Sequence, residues 1–106
     1  MTGPAATPTP PYYAVIFTSV LGGDTEGYEA AAERMVALAS RQDGFLGVES
    51  ARAGLGITVS YWRDLESIRA WRDHAEHAEV RRIGRERWYR AFRVRVCLVE
   101  REYGSG

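Results

Sequence analysis

At 106 residues, with 45% apolar and 26% charged side chains, the chain has the length and make-up of one globular domain around one core. Its 14 basic and 14 acidic residues cancel, so net charge gives no reason to seek nucleic acid or an anionic membrane as a partner. Every basic residue is arginine; without lysine, Schiff-base chemistry is excluded and each basic side chain keeps its charge at working pH.

The single cysteine, Cys97, can close no internal disulfide, and no Cys/His spacing suggests a zinc framework. This fits a reducing cytoplasm. The first residues lack the basic and apolar regions of a secretory signal. No apolar run approaches the roughly 20 residues a membrane span needs. Residues 1–11 hold all four prolines and read as a disordered or polyproline-like leader.

The folded domain is expected over residues 12–103, with 104–106 a tail. Tyr12 to Val20 is β-branched and aromatic, and apolar on both alternating faces. Tyr13, Val15 and Phe17 point one way, and Tyr12, Ala14 and Ile16 the other. A strand wet on one side needs no such pattern, so both sides are expected to be covered. Asp24 or Thr25 is placed to cap a helix that runs to about Gln42. Its stripe is Tyr28, Ala31, Ala32, Met35, Leu38 and Ala39. Gly44 supplies the left-handed residue that ends it. Gly27, early in that helix, costs about 1 kcal/mol against alanine with no visible return.

Phe45–Ala53 and Gly56–Arg63 read as a hairpin turned at Gly54-Leu55. Asp64 is the N-cap of a second helical segment. Ala91–Glu102 is the last strand, with Phe92, Val94, Val96 and Leu98 alternating against Arg93, Arg95 and Cys97. The order strand, helix, strand, strand, helix, strand is the α+β, ferredoxin-like βαββαβ arrangement. It makes a four-stranded antiparallel sheet with the helices on one face. The other face is left bare, and a second copy of the chain is its simplest cover, so a homodimer is expected.

The second helical segment contains a phase break. Leu65, Ile68, Trp71 and Ala75 form one stripe; Val80, Ile83, Gly84 and Arg87 form another. At about 100° per residue the second lies roughly 120° round from the first. One straight helix cannot bury both, so a bend is expected between His74 and Ala78. Both histidines fall there.

A histidine is the natural proton acceptor near neutral pH. His77 is the better candidate base, because Glu76 and Glu79 stand to raise its basicity; His74 is the other. The alternatives are a surface imidazole or one tied to a backbone carbonyl at a helix end. His-x-x-His lacks a third ligand at a matching spacing, so no metal site is expected. Trp62, Trp71, Trp88, Tyr61 and Tyr89 read as core packing or as the walls of a pocket for a flat organic ligand. Arg81, Arg82, Arg85, Arg87 and Arg90, interleaved with Glu79 and Glu86, read as a solvated, salt-bridged face, with an anion site at the pocket mouth as the alternative. Cys97 reads as a buried structural thiol.

The segments QDGFLGVESAR, GITVSYWRDLESIRAWRDHAEH and GRERWYRAFRVRVCLVER resemble the antibiotic biosynthesis monooxygenase-like family of dimeric α/β barrels. The resemblance spans about Tyr12 to Tyr103 and includes the run Trp71, Arg72, His74, Glu76, His77. It implies a ferredoxin-like protomer that closes a barrel with its twin, and a pocket between sheet and helices. Some members of that family oxidise aromatic compounds with dioxygen and no cofactor; others bind and cleave haem. On the first pattern His77 or His74 is the base, and Trp71, Trp62, Tyr61 and Trp88 hold the substrate. The haem-degrading branch uses an asparagine, a tryptophan and a histidine. Trp71 matches the tryptophan, but this chain has no asparagine, and Arg81 stands where the histidine belongs. The expected function is thus a cofactor-independent monooxygenase for a small aromatic or quinol-type compound. A haem-binding or haem-degrading protein and a non-catalytic ligand-binding barrel of stress-response type are the alternatives.

Overall fold

The computed structural model describes residues 3–106. Its elements are β1 (Tyr12–Leu21), α1 (Tyr28–Ala39), β2 (Phe45–Arg52), β3 (Gly56–Trp62), α2 (Leu65–Asp73), α3 (Ala75–Ile83), a π-helical turn over Gly84–Trp88, and β4 (Tyr89–Val99). The strands form one antiparallel sheet in the order β2-β3-β1-β4. This is the expected βαββαβ fold, with its second helix split in two.

Register decides which residues share a face. Tyr13 pairs with Trp62 and Leu98, Val15 with Ser60 and Val96, Phe17 with Thr58 and Val94. Trp62 is fully buried and its ring stacks on Trp71 of α2. All of these residues therefore lie on the helix side. Tyr12, Ala14, Ile16, Tyr61, Val59 and Glu49 lie on the far side.

Two observations bear on that far side. First, the proline-rich leader from residue 3 onward lies against it; Met1 and Thr2 lie outside the described residues. It has no helix or strand, but it is tied down. The Ala5 N–H donates to Glu49 Oε2 at 2.8 Å, and Thr7 Oγ1 donates to Glu102 Oε1 at 2.9 Å. Tyr12 Oη also donates to Glu102, at 2.8 Å, and lies 2.9 Å from Thr7 Oγ1. Tyr12 and Ala14 are buried accordingly. Second, the barest apolar row is not on the far side. Phe92, Val94, Val96 and Leu98 are 43–51% exposed, and they lie on the helix side of edge strand β4. On the far face Ile57 is 42% exposed, and Cys97, expected to be buried, is only half-buried at an edge strand.

The start of α1 is also corrected. The helix begins at Tyr28, and neither Asp24 nor Thr25 caps it. Its N-cap is Gly27 at φ 83°, a left-handed conformation that glycine adopts without strain. The glycine lies outside the helix, and its place at the turn is its reason. Asp24 instead accepts from the Glu26 N–H and pairs with Arg87. Gly44, at φ 86°, turns the chain into β2 some residues after the Ser40 cap. Asp64 behaves as expected: it is extended, and its side chain accepts from the Ser67 N–H at 2.8 Å.

Candidate active site

α2 stops at His74, whose ψ of 129° breaks the helix at the N-terminal edge of the expected window. A helix end leaves carbonyls without intrahelical partners. Here side chains of α3 bond two carbonyls of that end, of which that of Trp71 also accepts from the His74 N–H at 3.1 Å. His77 Nδ1 lies 2.8 Å from the Trp71 carbonyl, and Arg81 Nη1 donates to the Arg72 carbonyl at 2.7 Å. A carbonyl can only accept, so the His77 proton is on Nδ1 and the lone pair is on Nε2.

His74 holds the opposite tautomer. Its Nδ1 accepts from the Glu76 N–H at 3.3 Å and so caps α3, which leaves its proton on Nε2. One histidine thus closes the start of α3 while the other closes the end of α2. This is the structural alternative foreseen for a histidine at a helix end, and it leaves Nε2 of His77 free of any backbone duty.

The His77 ring lies flat on Trp71, with centroids 4.2 Å apart and planes 9° from parallel. Trp71 in turn stacks on Trp62 at 6.3 Å, and Trp62 meets Phe45 edge-on at 5.5 Å. The His74 ring tilts against Trp71 at 5.6 Å. The indole N–H of Trp62 donates to Ser60 Oγ at 2.9 Å, so burial of that ring leaves no polar atom orphaned. The break therefore gathers Trp62, Trp71, His74 and His77.

Burial pushes the His77 pKa below the usual histidine range. The bond to the Trp71 carbonyl opposes this, and Arg81 and His74 add to it. The expectation that Glu76 and Glu79 raise its basicity is corrected. Glu76 is held by Arg34 of α1, with Nε to Oε2 2.7 Å and Nη2 to Oε1 3.2 Å. Glu79 is held by Arg82. Both carboxylates are spent on arginines, whose hydrogen bonds lower their own pKa values.

The structure does not bring the other aromatic candidates here. Tyr61 points to the far face, where its hydroxyl donates to Glu49 Oε1 and its ring meets Tyr12 edge-on at 5.8 Å. Burial first and Glu49 second raise its pKa. Trp88 is 4% exposed, donates to the Glu26 carbonyl, and packs on Tyr28 of α1. Tyr89 joins Tyr28 and Phe17. The five aromatics form three groups, because alternation along β3 sends Tyr61 and Trp62 to opposite faces and the π-helical turn carries Trp88 to α1.

Two surface clefts, of about 410 and 230 Å³, lie elsewhere. The first lies between Leu21, Tyr28 and Arg52; the second lies between Gln42, Arg63 and Ser67. Neither is lined by a histidine or a tryptophan, so neither is the hollow expected beside His77. The basic run is only partly the salt-bridged face expected: among the described residues Arg82 pairs with Glu79 and Glu86 and Arg87 with Asp24, while Arg81, Arg85 and Arg90 make no ion pair. Arg81 instead bonds a backbone carbonyl, a role the sequence reading missed. The signal was present: His77 and Arg81 are four apart, on one face of α3. The Arg34–Glu76 tie between α1 and α3 had no such signal, since it joins residues 42 apart.

Among the described residues, no group of three or more His, Cys, Asp or Glu stands ready for a metal ion. No described helix is long and apolar enough to cross a membrane.

The sequence model for "Antibiotic biosynthesis monooxygenase" matches residues 11–83. The chain belongs to the antibiotic biosynthesis monooxygenase family. That match covers β1 to α3 and thus every residue of the histidine cluster. A family relative, the uncharacterised protein YqjZ of Bacillus subtilis (strain 168), is 54% identical over 98 residues. The alignment covers 91% of this chain and 86% of YqjZ. Among solved structures, a point variant of SnoaB, described as a cofactor-independent oxygenase from Streptomyces nogalater, superposes with a TM-score of 0.76 at 13% identity. It covers 89% of this chain and 98% of SnoaB. Rv0793 from Mycobacterium tuberculosis gives 0.77 at 18% identity, over 88% and 99% of the two chains. At those identities the likeness shows the fold that this family member shares with them.

Proposed function

We propose that this chain is a cofactor-independent monooxygenase of a small, electron-rich aromatic compound such as a hydroquinone, with His77 as the general base. The observation that carries the reading is the fixed tautomer of His77. Its Nδ1–H is committed to the Trp71 carbonyl, so Nε2 offers a lone pair from a ring clamped on an indole. Burial favours the neutral, proton-accepting form at neutral pH. Family membership and the likeness to SnoaB support the same reading.

The chemistry needs little more. Nε2 removes a phenolic proton. The resulting anion gives one electron to dioxygen, and the organic radical and superoxide couple to a peroxide. The imidazolium returns its proton to give a hydroperoxide; loss of the hydrogen on the oxygenated carbon then breaks the O–O bond, one oxygen stays as a carbonyl of the product, and the departing hydroxide takes that proton and leaves as water. Trp71 and Trp62 keep one side of the base dry, which strengthens the ionic steps. The test is oxygen uptake with a panel of hydroquinones, comparing wild type with His77→Ala and His74→Ala. Uptake is expected to fall by roughly 100-fold or more in His77→Ala, as for loss of a general base. Equal rates in all three proteins would remove the assignment.

We also propose that two copies pair. The apolar row of β4 and the open Ile57 support this reading, since such surface is rarely left to water. The pairing must cover the helix side of β4 as well as the far face. Sedimentation equilibrium at micromolar concentration is expected to give twice the 11.9 kDa chain mass; a single-chain mass would end the proposal.

A further inference from the structure

The proposed base is held by one bond of its own and by a second bond four residues away. α3 docks on the end of α2 through two consecutive carbonyls. His77 takes that of Trp71, and Arg81, one turn later on the same face, takes that of Arg72. The two contacts together fix how far α3 is turned and slid against α2. A single contact would let the imidazole pivot off the Trp71 ring. Arg81 is half-buried, and among the described residues it has no carboxylate within ion-pair distance. Its neighbour Arg82, by contrast, is fully engaged with Glu79 and Glu86 on the open side of the helix.

We infer that Arg81 is the positioning residue of this site: by clamping the Arg72 carbonyl it holds His77 in the Nδ1–H tautomer against Trp71, with Nε2 free for substrate. This rests on the reading of His77 as the base, and it gives the arginine two tasks. It anchors the helix, and it places a fixed positive charge near the imidazole. The other charged groups around His77 are few. His74 faces it from the break, while Glu76 on α3 is tied to Arg34 of α1, Glu79 to Arg82, and Asp73 at the end of α2 to Arg72. Asp73 also feels the charge of Arg81, but its hydrogen bond goes to Arg72.

The test is nitrogen-15 NMR of histidine-labelled protein, which reports tautomer and protonation at each ring without any substrate. In wild type, His77 is expected as the Nδ1–H tautomer and His74 as the Nε2–H tautomer at pH 8. In Arg81→Met the His77 protonation midpoint is expected to move upward, and the Nε2–H tautomer to become populated. Arg81→Lys keeps the charge and reaches the carbonyl less well, so the midpoint is expected to stay near wild type while the tautomer mixes. Arg82→Met is expected to leave both histidines unchanged. If Arg81→Met does not fold, the tautomer in Arg81→Lys decides. A merely structural arginine would lower stability and leave the tautomer alone. An unchanged His77 signal in the folded variants, or an Nε2–H His77 in wild type, would overturn the inference. Absence of oxygen uptake would sink the proposed reaction and leave this result standing.

Discussion

The stack of His77 on Trp71 can be weighed directly by a double-mutant cycle. His77→Ala removes two interactions at once. One is the hydrogen bond to the Trp71 carbonyl at 2.8 Å, worth roughly 0.5–1.5 kcal/mol net. The other is the ring stack at 4.2 Å and 9°, worth roughly 0.5–1.5 kcal/mol beyond area. The single variant should therefore lose about 1–3 kcal/mol. Trp71→Ala loses the stack and its packing on Trp62; the ring is only half-buried, so the loss is expected below the roughly 3–5 kcal/mol of a fully buried aromatic. The hydrogen bond uses the backbone of residue 71, so it is present in both arms and cancels from the coupling. What remains is ring on ring. Urea unfolding of the four proteins at pH 8, where imidazole is neutral, is expected to give a coupling of about 0.5–1.5 kcal/mol. Additivity within about 0.3 kcal/mol would refute the claim that these rings hold one another.

Other consequences are simpler to read. Asp64→Ala removes the cap of α2 and should cost about 1 kcal/mol in chemical denaturation, with Asp64→Asn retaining most of it. The folded state depresses the His77 pKa, so the unfolded chain binds the extra proton first. The stabilisation is present above the unfolded histidine value, near 6.5, and is lost as pH falls through the folded one. Stability should therefore drop between pH 7 and pH 5 in wild type, with a smaller drop in His77→Ala. Ala5→Pro deletes the N–H that binds Glu49, and limited proteolysis is expected to cut the leader faster in that variant while leaving the domain intact.

The fold was legible because its signals are local and periodic. The two-sided apolar pattern of Tyr12–Val20, the Asp64 cap and the shift of stripe after Trp71 each named an element or a boundary. The shift of stripe also placed the break that carries the site, since one helix cannot bury two stripes. Contacts between distant segments were not legible. Nothing local tells that Ala5 meets Glu49, or that Arg34 takes Glu76 away from His77. The dense aromatic cluster misled for a related reason. Proximity in sequence put Tyr61 beside Trp62, and the pleat then sent them to opposite sides of the sheet. The bare face was misplaced because alternation along β4 shows that one row is apolar, but not that the helices leave that row half open.

The central claim is that His77 Nε2 takes a proton from a bound phenol. The most direct measurement mixes an electron-rich hydroquinone with the protein in the absence of oxygen and records the ultraviolet difference spectrum. The account predicts the band of the ionised hydroquinone with wild type at pH 7 and its loss with His77→Ala. The same band with both proteins, or with neither while the compound binds, would contradict it.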